Sequence, residues 1–160
     1  MAVQKTNPVC AEEQVEIQTG VPCTLPDGTA LIADIYTPIG EGPFPVLLMR
    51  QPYGRDIAST VVYAQPTWFC RKGFIVVIQD VRGRGDSEGE FHAFSNEAED
   101  GFHTVAWAAG LDKSNGSVGM YGFSYQGYTQ TAVLSEQPAA LGAIAPHMTA
   151  SDLREGWFFR

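Results

Sequence analysis

Four short apolar runs, separated by stretches of helical character, constrain this chain more than any other feature. They are residues 46–50 (Val-Leu-Leu-Met-Arg), 74–79 (Phe-Ile-Val-Val-Ile-Gln), 118–121 (Val-Gly-Met-Tyr) and the weaker 141–145 (Leu-Gly-Ala-Ile-Ala). Nearly continuous apolar character suits strands covered on both faces. Helices are expected near 61–72, over 97–109 and over 124–135. In the second, Ala98, Phe102, Val105, Ala106 and Ala109 fall on one face at helical spacing. Strand–helix alternation of this length predicts a mostly parallel sheet flanked by helices, the α/β class. Ahead of it, residues 13–21 alternate apolar and polar, Pro26-Asp-Gly28 supplies a turn, and residues 30–36 form a second strand. This pair predicts an antiparallel hairpin at the sheet edge.

In such sheets chemistry gathers at the carboxyl ends of the strands. Three suggestive segments fall there: residues 51–55 (Gln-Pro-Tyr-Gly-Arg), 80–86 (Asp-Val-Arg-Gly-Arg-Gly-Asp), and Ser124. Gly122-Phe-Ser-Tyr-Gln-Gly127 is read as a nucleophile elbow of the Gly-x-Ser-x-Gly type, its second glycine at Gly127. A neutral serine needs a base, an oriented geometry and an oxyanion site. The bend supplies the geometry, and the helix that opens there aims N–H groups at the same spot. The Tyr125 N–H is therefore a candidate oxyanion donor. Tyr53 lies where an oxyanion loop is expected, and its phenol can donate a hydrogen bond. Local sequence alone favours a packed aromatic beside a Pro-Gly turn at that position.

The competing sites are less suitable. The 80–89 loop fails the Gly-x-Gly-x-x-Gly spacing by one residue and has no following Gly-Lys-Ser/Thr, so a loop pinned by Asp80, Asp86, Arg82 and Arg84 is expected instead of a phosphate cradle. Glu88, Glu90, His92, Glu97, Glu99, Asp100 and His103 form an acidic run without zinc-site spacing, and a solvated face is expected. His147 follows Ser124, but in this arrangement base and acid come from loops after later strands, so it reads as a polar strand-end residue. No metal and no cofactor are expected.

With 160 residues, 44% hydrophobic and 18% charged, the chain is long enough for one domain with a core. Its net charge of −8 argues against nucleic acid as a partner. No apolar run approaches the roughly 20 residues of a membrane span, and the N-terminus lacks the apolar core of a signal peptide. Cys10, Cys23 and Cys70 read as free thiols, and a cytoplasmic address is expected.

Together these segments resemble the cocaine esterase and X-Pro dipeptidyl-peptidase family of α/β-hydrolases, whose relatives include glutaryl-7-aminocephalosporanic-acid acylases and α-amino-acid ester hydrolases. The resemblance rests on Leu25-Pro-Asp-Gly-Thr29 and Ala33-Asp-Ile-Tyr36, Arg50-Gln-Pro-Tyr-Gly-Arg55, the stretch from Gly73 to Phe91, Glu99-Asp-Gly, Trp107, Gly116 to Gly127, and Ala143-Ile-Ala-Pro146, in the family's order. It implies an α/β-hydrolase fold with Ser124 as nucleophile. It makes Tyr53 one oxyanion donor, reversing the local reading, and the Tyr125 N–H the other. It makes the 80–91 loop a structural signature and places Trp157 and Phe158 against the acyl group. The implied substrate is a small ester, amide or peptide, including X-Pro dipeptides. The family's acid and base, helical cap and C-terminal jelly-roll domain lie beyond residue 160, so the expectation is the N-terminal part of a longer hydrolase, inactive alone. Homo-oligomerisation of the intact protein is left open. Two alternatives remain: a non-catalytic binding module, and one half of a split hydrolase completed by a second chain.

Overall fold

The structure, a computed structural model, describes residues 15–58, 64–150 and 152–153. In chain order the elements are β1 (Val15–Thr24), β2 (Ala30–Pro38), β3 (Phe44–Gln51), α1 (Arg55–Ala58), α2 (Pro66–Cys70), β4 (Ile75–Asp80), α3 (Glu97–Ala109), β5 (Ser114–Phe123), α4 (Tyr125–Val133) and β6 (Leu141–His147). A 3-10 turn at Leu134–Glu136 closes α4. The strands form one sheet in the order β1-β2-β4-β3-β5-β6. β1 and β2 pair antiparallel, as do β2 and β4. β4, β3, β5 and β6 run parallel. The expected hairpin on an otherwise parallel sheet is present, with β1 at the edge. The helix expected near 61–72 is α2, which opens on Pro66 at its first turn; residues 61–63 lie outside the described set.

Three of the four apolar runs have the cause expected of them: both faces of β3, β4 and the end of β5 are buried, whereas the fourth run, β6, is largely exposed at the sheet edge. Alternate residues Val46, Leu48, Ile75, Val77, Val118 and Met120 pack with Val105, Ala108 and Val133 of α3 and α4. The intervening Met49, Val76, Ile78 and Tyr121 pack with Cys70 on the opposite face. The period of two along each strand divides one apolar run between two cores.

The face of α3 differs from expectation. Its buried positions are Glu97, Asp100, Gly101, Thr104, Val105 and Ala108, and Ala106 is exposed. The inward stripe is rotated towards the polar residues because partners await them inside. Arg82 makes a two-pronged hydrogen bond to Asp100, at 3.0 and 2.7 Å. Arg50, fully buried on β3, reaches the Glu97 carboxylate at 3.1 Å.

Candidate functional site

The candidate site lies at the carboxyl ends of β3, β4 and β5. Ser124 links β5 directly to α4 at φ 59° and ψ −118°, a conformation rare for an L residue. The neighbours explain how the chain holds it. A Cβ on Gly122 would lie 2.3 Å from Gln126 Cβ, and one on Gly127 would lie 2.8 Å from Thr149 Cβ. One glycine lets α4 fold back on β5, and the other lets α4 close on the end of β6. The Ser124 N–H donates to the His147 carbonyl at 2.9 Å, and the Ser124 carbonyl accepts from Gly127 and Tyr128. Ser124 is half-buried, and among the described residues its hydroxyl has no hydrogen-bond partner.

One detail of the elbow corrects the sequence reading. The motif is Gly-x-Ser-x-x-Gly, because Gln126 occupies the position two residues after Ser124. Gln126 is buried, and its side-chain carbonyl accepts the Phe123 N–H at 3.0 Å. Its amide thus ties down the last strand residue before the bend, and the close approach to β6 moves one position on, to Gly127.

Tyr125 opens α4, and the first N–H groups of a helix have no acceptor within it. Its ring is buried. The hydroxyl donates to Glu97 Oε1 at 2.8 Å and accepts the Phe94 N–H at 3.0 Å. Burial, reinforced by the Glu97 charge, pushes the phenol pKa well up, so this hydroxyl stays protonated as a donor. Glu97 in turn faces Arg50, whose Nε donates to Gln79 Oε1 at 2.9 Å. The side chain after the candidate nucleophile is therefore anchored through a buried polar chain to β3 and β4.

Tyr53 stands two residues past the end of β3, the strand parallel to β5. It is 48% exposed, and among the described residues its hydroxyl has no hydrogen-bond partner. Tyr53 and Ser124 thus lie just past the carboxyl ends of neighbouring parallel strands. Trp157 and Phe158 lie outside the described residues.

The 80–89 loop is pinned as expected. Arg55 reaches Asp80, Asp34 and Asp86, while Arg82 joins Asp27, Thr29 and Asp100. The Ser87 hydroxyl donates to the Asp80 carbonyl at 2.7 Å and accepts the Ile32 N–H at 2.8 Å. A Cβ on Gly85 would meet the Asp80 carboxylate at 2.1 Å, so this glycine is fixed by that close approach. Gln51 and Arg55, absent from the sequence-based site, meet the same carboxylate. For Gln51, an amide residue closing a buried apolar strand was the available signal.

No described histidine ring is hydrogen-bonded to the Ser124 hydroxyl. His92 is exposed beside Glu90, His103 stacks edge-on against Phe102, and the His147 ring lies 5.9 Å from that of Phe123. Among the described residues no cluster of His, Cys, Asp and Glu is arranged to hold a metal. None of the described helices is long and apolar enough to cross a membrane.

Comparison with known proteins agrees with this architecture. A profile of the X-Pro dipeptidyl-peptidase (S15) family matches residues 27–160. The cocaine esterase of Rhodococcus sp. (strain MB1 Bresler) is 38% identical over 145 residues, covering 89% of this chain and 25% of that protein. A CocE/NonD family hydrolase from Staphylococcus aureus superposes with a TM-score of 0.79 at 27% identity, over 87% of this chain and 28% of that one. An α-amino acid ester hydrolase superposes with a TM-score of 0.79 at 26% identity, over 98% of this chain and 29% of that one. The chain spans about a quarter of the length of the curated relatives it matches. Its sheet is an α/β-hydrolase sheet, and the chain belongs to the X-Pro dipeptidyl-peptidase (S15) family of ester and amide hydrolases.

Proposed function

We propose that this chain carries the nucleophile and both oxyanion donors of a serine hydrolase that cleaves ester or amide bonds through an acyl-enzyme. The observation that carries the reading is Ser124 itself: a serine at φ 59° on a strand-to-helix bend, beside a strand followed two residues on by an exposed tyrosine. Ser124 Oγ attacks the substrate carbonyl and passes its proton to a histidine. Tyr53 and the Tyr125 N–H hold the developing oxyanion. The alcohol or amine leaves with that proton, and water then releases the acyl group. Trp157 and Phe158 keep their proposed place against the acyl group.

The histidine and its acid partner come from chain outside residues 1–160. No ring of His92, His103 or His147 is hydrogen-bonded to the Ser124 hydroxyl, which supports this, as does the greater length of the relatives. Buried free Cys23 and Cys70 support a cytoplasmic address. A fluorophosphonate probe tests the assignment. Ser124 is expected to label in the full-length gene product and not in the 160-residue polypeptide. Labelling in the short chain contradicts the missing base; labelling only with a second chain means a split enzyme; no labelling in any form means a binding module. In the labelled form, Tyr53→Phe is expected to lower kcat by about a hundredfold, the usual effect of losing one oxyanion donor.

A further inference from the structure

In residues 52–55 the Pro52 carbonyl, the Tyr53 N–H and the Arg55 guanidinium are all hydrogen-bonded, whereas the Tyr53 hydroxyl has no partner among the described residues. Gln51 accepts the Tyr53 N–H on Oε1 at 2.7 Å and donates from Nε2 to Asp80 Oδ1 at 2.8 Å. Both Gln51 and Asp80 are buried, and they are register partners on parallel strands β3 and β4. Arg84 donates from Nε to the Pro52 carbonyl at 2.9 Å, and its guanidinium lies 5.2 Å from the Phe91 ring centroid. Arg55 closes the segment. Its Nη1 meets the other Asp80 oxygen, Nε reaches Asp34 at 3.0 Å, and Nη2 reaches Asp86 at 2.8 Å. Gly54, at φ 95°, supplies the turn that brings Arg55 back over Asp80.

We infer that Gln51, Asp80 and Arg84 form a clasp whose role is to position Tyr53 for oxyanion binding, making the 80–89 loop a working part of the site. An oxyanion donor contributes only if it is held in place before the charge develops. A solvated tyrosine on a free loop would have to be ordered in each turnover. Here Gln51 and Arg55, on either side of Tyr53, are tied through their side chains to a buried carboxylate, while the ring is left exposed. Gln51 is the critical link, since one amide bonds both the Tyr53 N–H and Asp80. Arg84 acts independently from the surface. All three are positioning residues, since none contacts the reacting atoms.

The inference rests on the proposed role of Tyr53, and a double-mutant cycle separates the two. In the full-length gene product, kcat and KM for a p-nitrophenyl ester are measured for Gln51→Leu and Arg84→Met, each with and without Tyr53→Phe. Arg84 is exposed, so its replacement keeps the test available if Gln51→Leu does not fold. Each clasp variant is expected to lower kcat about tenfold while KM changes little. In the Tyr53→Phe background the same replacements are expected to cost less than about twofold, because their effect passes through the missing hydroxyl. Equal losses in both backgrounds, or an unchanged kcat in the clasp variants, overturn the clasp while leaving Tyr53 in the site. An unchanged kcat in Tyr53→Phe alone removes Tyr53 from the site and the clasp with it.

Discussion

At φ 59° and ψ −118°, Ser124 occupies backbone space that costs an L side chain about 1–3 kcal/mol. That strain predicts an unusual order of stabilities. Ser124→Gly relieves it, although glycine's greater freedom in the unfolded chain offsets about 0.5–1 kcal/mol. Ser124→Ala removes the hydroxyl and keeps the strain. The glycine variant is therefore expected to be more stable than the alanine variant by about 1 kcal/mol, read from urea midpoints. Equal midpoints would mean that the bend is unstrained. At this scale the sequence was readable because the determinants are local. The serine, its glycines and the helix that follows lie within a few residues. The error was local too: Gln126 stands where the pattern has glycine, and nothing nearby says that its amide bonds the Phe123 N–H.

Between elements, the carboxyl end of the sheet carries two polar pairs in register, one on each face. Gln51 and Asp80 lead to Tyr53; Arg50 and Gln79 lead through Glu97 to Tyr125. The second chain is incompletely satisfied: Arg50 Nη2, Gln79 Nε2 and Glu97 Oε2 are buried without hydrogen bonds among the described residues. Breaking a buried ion pair leaves a charge without compensation and costs about 3–5 kcal/mol, whereas replacing both partners with apolar residues is often neutral. Glu97→Gln is expected to destabilise by about 3 kcal/mol, and Arg50→Met with Glu97→Met together by much less, both measured by denaturant unfolding. A double variant as unstable as the single one would show that the pair stabilises the fold outright. These residues also mark where sequence reasoning stopped. The apolar spacing of α3 pointed to Ala98, Phe102, Val105, Ala106 and Ala109. Its inward face instead sets Glu97, Asp100 and Thr104 beside Val105 and Ala108, because Arg50, Arg82 and Gln79 supply partners from distant segments. Periodicity measures apolar content along one helix and carries no information about a cation arriving from another strand.

For the molecule as a whole, strand runs and turns were readable because burial on two faces imposes a compositional rule. Strand order was not, since β4 lies between β2 and β3 through contacts that no local pattern encodes. That order leaves β6 at the sheet edge, paired on one side only among the described residues, with Gly142, Ala143, Ala145, Pro146 and His147 exposed. A strand edge of this kind offers unpaired N–H and C=O groups to any second strand. β6 carries no Lys, Arg, Asp or Glu to oppose such pairing. The far edge differs, since exposed Glu16 on β1 discourages close approach. The 160-residue polypeptide is therefore expected to self-associate through β6, its sedimentation coefficient rising with protein concentration. Ala143→Lys places a charge on that strand and is expected to shift the population towards monomer, whereas a lysine at the already exposed Gln18 of β1 is expected to change nothing. A monomer at every concentration, or equal suppression by both lysines, would show that the β6 edge does not drive association.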